Sequence, residues 1–208
     1  MRCVLVLLLV AACEEPVVSQ PWQLDHDRII AVRLSPPVIH AGHRAWIDGL
    51  VALQGEPPRE LVPDRVEPSS TSDELELGFE DGRWFVIASS ELAAPVDLIV
   101  TFGELVARKI VAIDDGVIVP MIRDVHAGEL EIGELETFAI APQREIALHV
   151  AAGEDDKVMW LTSCGALVDH DLPDAFLTVE PRRVCELVVV LRAGAAVAWQ
   201  TWKVTTER

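Results

Sequence analysis

A chain of 208 residues with 50% hydrophobic content is long enough for one large or two small domains and apolar enough to bury a core, which excludes wholesale disorder. Its formal charge of −17 excludes nucleic-acid partners, whose phosphate backbones are held by clustered lysine and arginine. The same charge repels anionic lipid, so any membrane attachment must come from another source.

The N-terminus supplies one. Met1-Arg2-Cys3 is followed by the apolar run Val4–Val10 and then by Ala11-Ala12-Cys13-Glu14-Glu15-Pro16. A positive charge, a short apolar core and small residues before a polar boundary make the three-part pattern of an export signal. A run of about ten apolar residues is too short to cross roughly 30 Å of hydrocarbon as a helix, and nothing later reaches the required length. Val10-Ala11-Ala12-Cys13 resembles the lipobox of bacterial lipoproteins. That resemblance implies diacylglyceryl transfer to the Cys13 thiol, cleavage after Ala12 and acylation of the new amine. Each buried methylene adds about 0.8 kcal/mol, so two or three acyl chains hold where one is marginal. Glu14, in place of Asp, after the cysteine favours the outer membrane under the lipoprotein sorting rule. The expected location is therefore the cell envelope, lipid-anchored, on the periplasmic face or the cell surface. Residues 1–12 are read as signal peptide and 13–27 as a lipidated tether with two prolines.

From Arg28 the pattern becomes short alternating segments. Ile30, Val32 and Leu34 share a strand face that Pro36-Pro37 ends, and Ala45, Ile47, Val51 and Leu53 share the next. Residues 54–73, with Pro57, Pro58, Pro63 and Pro68, read as a long surface loop. Leu75, Leu77 and Phe79 alternate with polar or small partners before Asp81-Gly82, a favoured two-residue hairpin turn. Val96–Thr101 and Leu105–Ile113 follow, and Asp114-Asp115-Gly116 reads as a domain junction. A second alternating series runs through Leu130/Ile132, Phe138/Ile140, Ile146/Leu148/Val150 and Val158–Thr162, and a hairpin around Ala193-Gly194 joins Cys185–Arg192 to Val197–Thr205. Period two with frequent turns predicts an all-β sandwich architecture, either two tandem antiparallel sandwiches over residues 28–113 and 117–206 or one elongated β body. The halves echo each other weakly: Glu80–Ser90 with Glu154–Cys164, and Val96–Thr101 with Cys185–Val190.

The opening Arg28–Pro37 strand, the Ala41-Gly42 turn and the closing Trp160…Leu187-Val-Val-Val-Leu-Arg…Ala198-Trp199 resemble the immunoglobulin-like domains of bacterial envelope lipoproteins over about a third of the chain. The resemblance is structural and brings no catalytic residue with it. It is incomplete, because Trp160 precedes both Cys164 and Cys185, where an immunoglobulin domain sets its tryptophan between the cysteines.

With Cys3 lost and Cys13 lipidated, Cys164 and Cys185 remain as an even pair in an oxidising compartment. A disulfide closing a loop of about 22 residues would stabilise the fold by roughly 3 kcal/mol; two free buried thiols are the alternative. His40-Ala-Gly-His43 can present two imidazoles from one turn, though no third metal ligand is identifiable and none is assigned. Acidic stretches such as Asp169-His170-Asp171 and Glu154-Asp155-Asp156 match no calcium loop. Thr162-Ser163-Cys164-Gly165 lacks the glycine flanks of a nucleophile elbow, and no catalytic or cofactor motif is present. Most of the six tryptophans suit core packing. Trp22 in the tether, and one of Trp199 and Trp202, which have opposite strand parity, are the candidates for surface binding. The reading is a membrane-anchored, non-enzymatic envelope lipoprotein that binds or scaffolds protein or glycan. The competing readings are an envelope hydrolase using unrecognised carboxylates and a calcium- or metal-dependent binding module.

Overall fold

The computed structural model describes residues 20–37, 39–69, 75–88, 95–111, 119–181 and 183–206. The leader with Cys13 and the Asp114-Asp115-Gly116 stretch lie outside them. All regular structure among the described residues is β. None of them forms a helix long and apolar enough to cross a membrane.

The first half holds β1 (Arg28–Ser35), β2 (Arg44–Ala52), β3 (Arg59–Leu61), β4 (Arg65–Pro68), β5 (Leu75–Glu80), β6 (Arg83–Ala88), β7 (Val96–Phe102) and β8 (Leu105–Val111). One sheet runs β1-β2-β6-β5, with β3 also on β2; the other runs β4-β7-β8. In immunoglobulin letters these are the A-B-E-D and C-F-G sheets. Between them lies a core containing Val32, Leu34, Ile47, Val86, Leu98, Val100 and Phe102. The β5–β6 hairpin turns at Asp81-Gly82, both with positive φ (52° and 75°), the backbone a type I′ turn needs.

The second half holds β9 (His126–Ala127), β10 (Leu130–Glu131), β11 (Thr137–Ile140), β12 (Glu145–His149), β13 (Lys157–Thr162), β14 (Ala166–Val168), β15 (Asp174–Thr178), β16 (Val184–Ala193) and β17 (Ala196–Thr206). Its sheets run β10-β9-β12-β15-β14 and β11-β17-β16-β13. The A-B-E-D and C-F-G orders recur, and β11 adds parallel to β17 at the edge. The enclosed core is built on Trp160, Leu148, Leu177, Leu187, Val189, Leu191 and Trp202.

The expected loop at 54–73 is corrected. It contains β3 and β4, because a short strand paired on one side only tolerates proline at its end, as at Pro68 opposite Leu98. The expected tether is corrected at its C-terminal end as well. Gln23 makes a parallel bridge to Thr162, the Leu24 amide donates to the Thr162 carbonyl at 2.9 Å, and the Thr162 amide donates to the Trp22 carbonyl at 3.0 Å. Leu24 is buried, and that burial holds the segment against β13.

A third apolar cluster joins the halves. Ile30, Ala31, Leu50 and Ala52 on the outward side of β1–β2 pack with Leu24 against Leu161, Val188 and Val190, with Met159, Val197 and Trp199 at the rim. Strand β16 is therefore buried on both faces. Leu187, Val189 and Leu191 point into their own core, and Val188 and Val190 point into the joint.

Candidate binding surfaces

The joint is finished with polar contacts that the apolar cluster alone would not supply. Arg33 on β1 donates to both oxygens of Glu60 at 3.0 Å and lies 4.1 Å above the Trp199 ring of β17. The Trp199 indole N–H donates to the same Glu60 carboxylate at 2.9 Å. Around the β16–β17 tip, Lys109 donates to the Ala195 carbonyl at 2.5 Å and Arg192 to the Ile30 carbonyl at 2.9 Å. Arg28 donates to the Pro21 carbonyl at 2.8 Å. Burial, with the nearby Arg192 charge adding to it, lowers the Lys109 pKa to about 8. Burial likewise lowers Arg192 and Arg28, with Arg28 repelling Arg192 and Asp25 partly restoring Arg28.

This geometry relocates the sequence candidates. Trp202 is 1% exposed, stacks on Trp160 at 6.4 Å and donates to the Ile132 carbonyl at 2.8 Å, so it is core and not a binding surface. Trp199 has the opposite parity and is taken up by the joint. Trp22 is half-buried against the second core. Cys164 and Cys185 form a disulfide with Cα atoms 5.5 Å apart. It staples the end of β13 to β16, neighbours in one sheet, rather than pinning the two sheets together. Trp160 nevertheless occupies the buried strand-C position, resting on Trp202 where an immunoglobulin domain has its disulfide. His40 and His43 stand edge to face at 5.9 Å, and among the described residues no group of three His, Cys, Asp or Glu side chains is gathered for a metal.

A surface the sequence did not single out lies on the outward side of β2 and β6. Trp46 and Phe85 are cross-strand partners, meeting edge to face at 5.8 Å. The Arg44 guanidinium sits 3.9 Å over Phe85 and 5.4 Å from Trp46, and Arg83 sits 5.0 Å from Trp46. Arg44 is ion-paired with Glu80, and Arg83 with Asp48 at 2.7 Å. The Phe85 ring fits because its neighbour is Gly78, where a Cβ would stand 2.1 Å from the ring. Arginine and tryptophan held on rigid strands are the residue types that dominate protein-recognition hot spots. The sequence signal was Arg44-Ala45-Trp46, with Ala45 on the inner parity and its neighbours necessarily outward.

A groove of about 730 Å³ between Val119–Asp124 and Ala151–Asp156 carries four acids. The Asp156 carboxylate accepts from the Gly153 amide at 2.8 Å, which closes its own turn.

Tandem immunoglobulin-like modules align with this chain at low identity and with TM-scores under 0.5. The N-terminal Ig1-2 module of the Drosophila receptor protein tyrosine phosphatase DLAR aligns at 13% identity over 88% of this chain and 100% of its own, with a TM-score of 0.34. The tandem Ig repeats of Dlar align at 11% over 88% and 98%, TM-score 0.35. Domains 5–6 of the S-layer protein SbsC align at 9% over 88% and 100%, TM-score 0.31. No family model and no curated protein matches the chain. The immunoglobulin-like assignment rests on the A-B-E-D and C-F-G strand orders.

Proposed function

We propose that this protein is a lipid-anchored, non-enzymatic envelope lipoprotein whose two sandwiches act as one rigid body that binds or scaffolds another envelope protein or a glycan. The observation that carries the binding role is the Arg44–Trp46–Arg83 layer, packed over the buried Phe85 ring on an outward sheet face. Packed π faces and guanidinium planes lose little side-chain entropy when a partner covers them. The joint between β1–β2 and β16–β17 supports rigidity, since it combines buried apolar area with hydrogen bonds from both sides. The anchor is supported by Val10-Ala11-Ala12-Cys13 and nothing further.

Two measurements test the parts separately. Full-length Cys13→Ser should lose labelled palmitate and move from the membrane fraction to the soluble one; membrane retention equal to the parent would refute the anchor. Crosslinking in intact envelopes should yield a partner adduct that Trp46→Ala reduces at least tenfold at equal expression. An adduct indifferent to Trp46, Arg44 and Arg83 substitutions would refute the binding face.

A further inference from the structure

One row of side chains crosses the outward face of the second A-B-E-D sheet. Glu131 pairs with His126, His126 with His149, and His149 with Asp174, across β10, β9, β12 and β15. Directly opposed residues on antiparallel strands share a face, with Cβ atoms about 4.5–5.5 Å apart. Their strand neighbours Ala127 and Leu148 are buried, so the histidine row faces solvent. The imidazole centroids lie 6.4 Å apart with the rings tilted by 44°. His149 Nδ1 lies 2.7 Å from Asp174 Oδ1. A neutral imidazole in that contact carries its proton on Nδ1 and leaves the Nε2 lone pair available.

We propose that His126 and His149 bind one Zn²⁺ ion, with Asp174 orienting the His149 ring, Glu131 flanking the ion and water completing its coordination. Tetrahedral zinc at about 2.0–2.1 Å from each nitrogen sets the two ring centroids about 5 Å apart. The rings must close by roughly 1 Å, a small χ rotation for side chains on a solvent face. A carboxylate on the non-ligating nitrogen is the usual partner of a metal-binding histidine. No three donors converge among the described residues, so the two imidazoles are the protein ligands this site supplies. A chain of charge −17 concentrates divalent cations around it. The His40/His43 pair offers the contrast: its rings sit on a turn through Gly42 (φ 74°), with no carboxylate bonded to either ring among the contacts described.

The test is calorimetric titration of tag-free, chelator-stripped protein with Zn²⁺, with thermal melts to confirm that each variant is folded. The parent should take up one ion. His126→Ala and His149→Ala should each weaken binding at least tenfold, Asp174→Asn about tenfold by loosening the ring, and His40→Ala/His43→Ala should leave it unchanged. Binding that survives the His126→Ala/His149→Ala double substitution, or that disappears with the His40/His43 pair, overturns the site. An Asp174→Asn variant that binds like the parent overturns the orienting role.

Discussion

The Arg33 guanidinium lies 4.1 Å above the Trp199 indole, and both side chains bond to the single carboxylate of Glu60. Arg33 and Glu60 belong to the first sandwich and Trp199 to the second, so this triangle ties the two together. Trp199→Ala should destabilise the protein by about 2 kcal/mol, less than a fully buried tryptophan because the ring is half-buried. In a double-mutant cycle with Arg33→Ala, the coupling should be about 0.5–1 kcal/mol. Strict additivity in urea melts would show that the stacking contributes nothing.

Lys109 sets a pH dependence of known sign. Its folded pKa is lowered from 10.5 to about 8, so the fold favours the neutral amine and is penalised where the ammonium is bound. That penalty is full below about pH 8 and is relieved as pH rises toward 10.5, for a gain on the order of 3 kcal/mol. Lys109→Met should remove this slope. Denaturant midpoints at pH 7, 8.5 and 10 check it, and parallel curves for parent and variant would contradict it.

The Cys164–Cys185 bond closes a loop with a sequence separation of 21. Replacing both cysteines by serine should lower stability by roughly 3 kcal/mol. Intact mass should rise by two hydrogen atoms on reduction, and free thiols labelled in the unreduced protein would count against the bond.

Gly49 lies under Phe102, whose ring carbon would stand 2.2 Å from an added Cβ. Gly49→Ala should cost about 1–3 kcal/mol through overpacking. The loss should shrink in a Phe102→Leu background; an undiminished loss would place the strain in the backbone instead.

The β5–β6 hairpin was legible because alternation and Asp81-Gly82 agree locally. Of the two internal echoes, Val96–Thr101 and Cys185–Val190 do fall on equivalent strands, β7 and β16, both strand F of their sandwich. The other pairs β6 with β13, which are strands E and C, because short apolar runs before a turn look alike wherever they occur. The unbroken Leu187-Val-Val-Val-Leu signals a strand covered on both sides, and it is the one sequence trace of the joint. The His126–His149 pairing left no trace, since register between strands 23 positions apart is set by the whole sheet. Trp46 suits core packing by hydrophobicity, and only its parity beside the inward Ala45 and Ile47 shows that it turns outward.

The bridge from Gln23 to Thr162 sets the mechanical path through the molecule. A pull from the N-terminal side would meet the backbone bonds at Trp22 and Leu24, which lead into β13, and the Arg28 guanidinium on the Pro21 carbonyl, which leads into β1. Both halves would thus share the load at the entry of the chain until these contacts part.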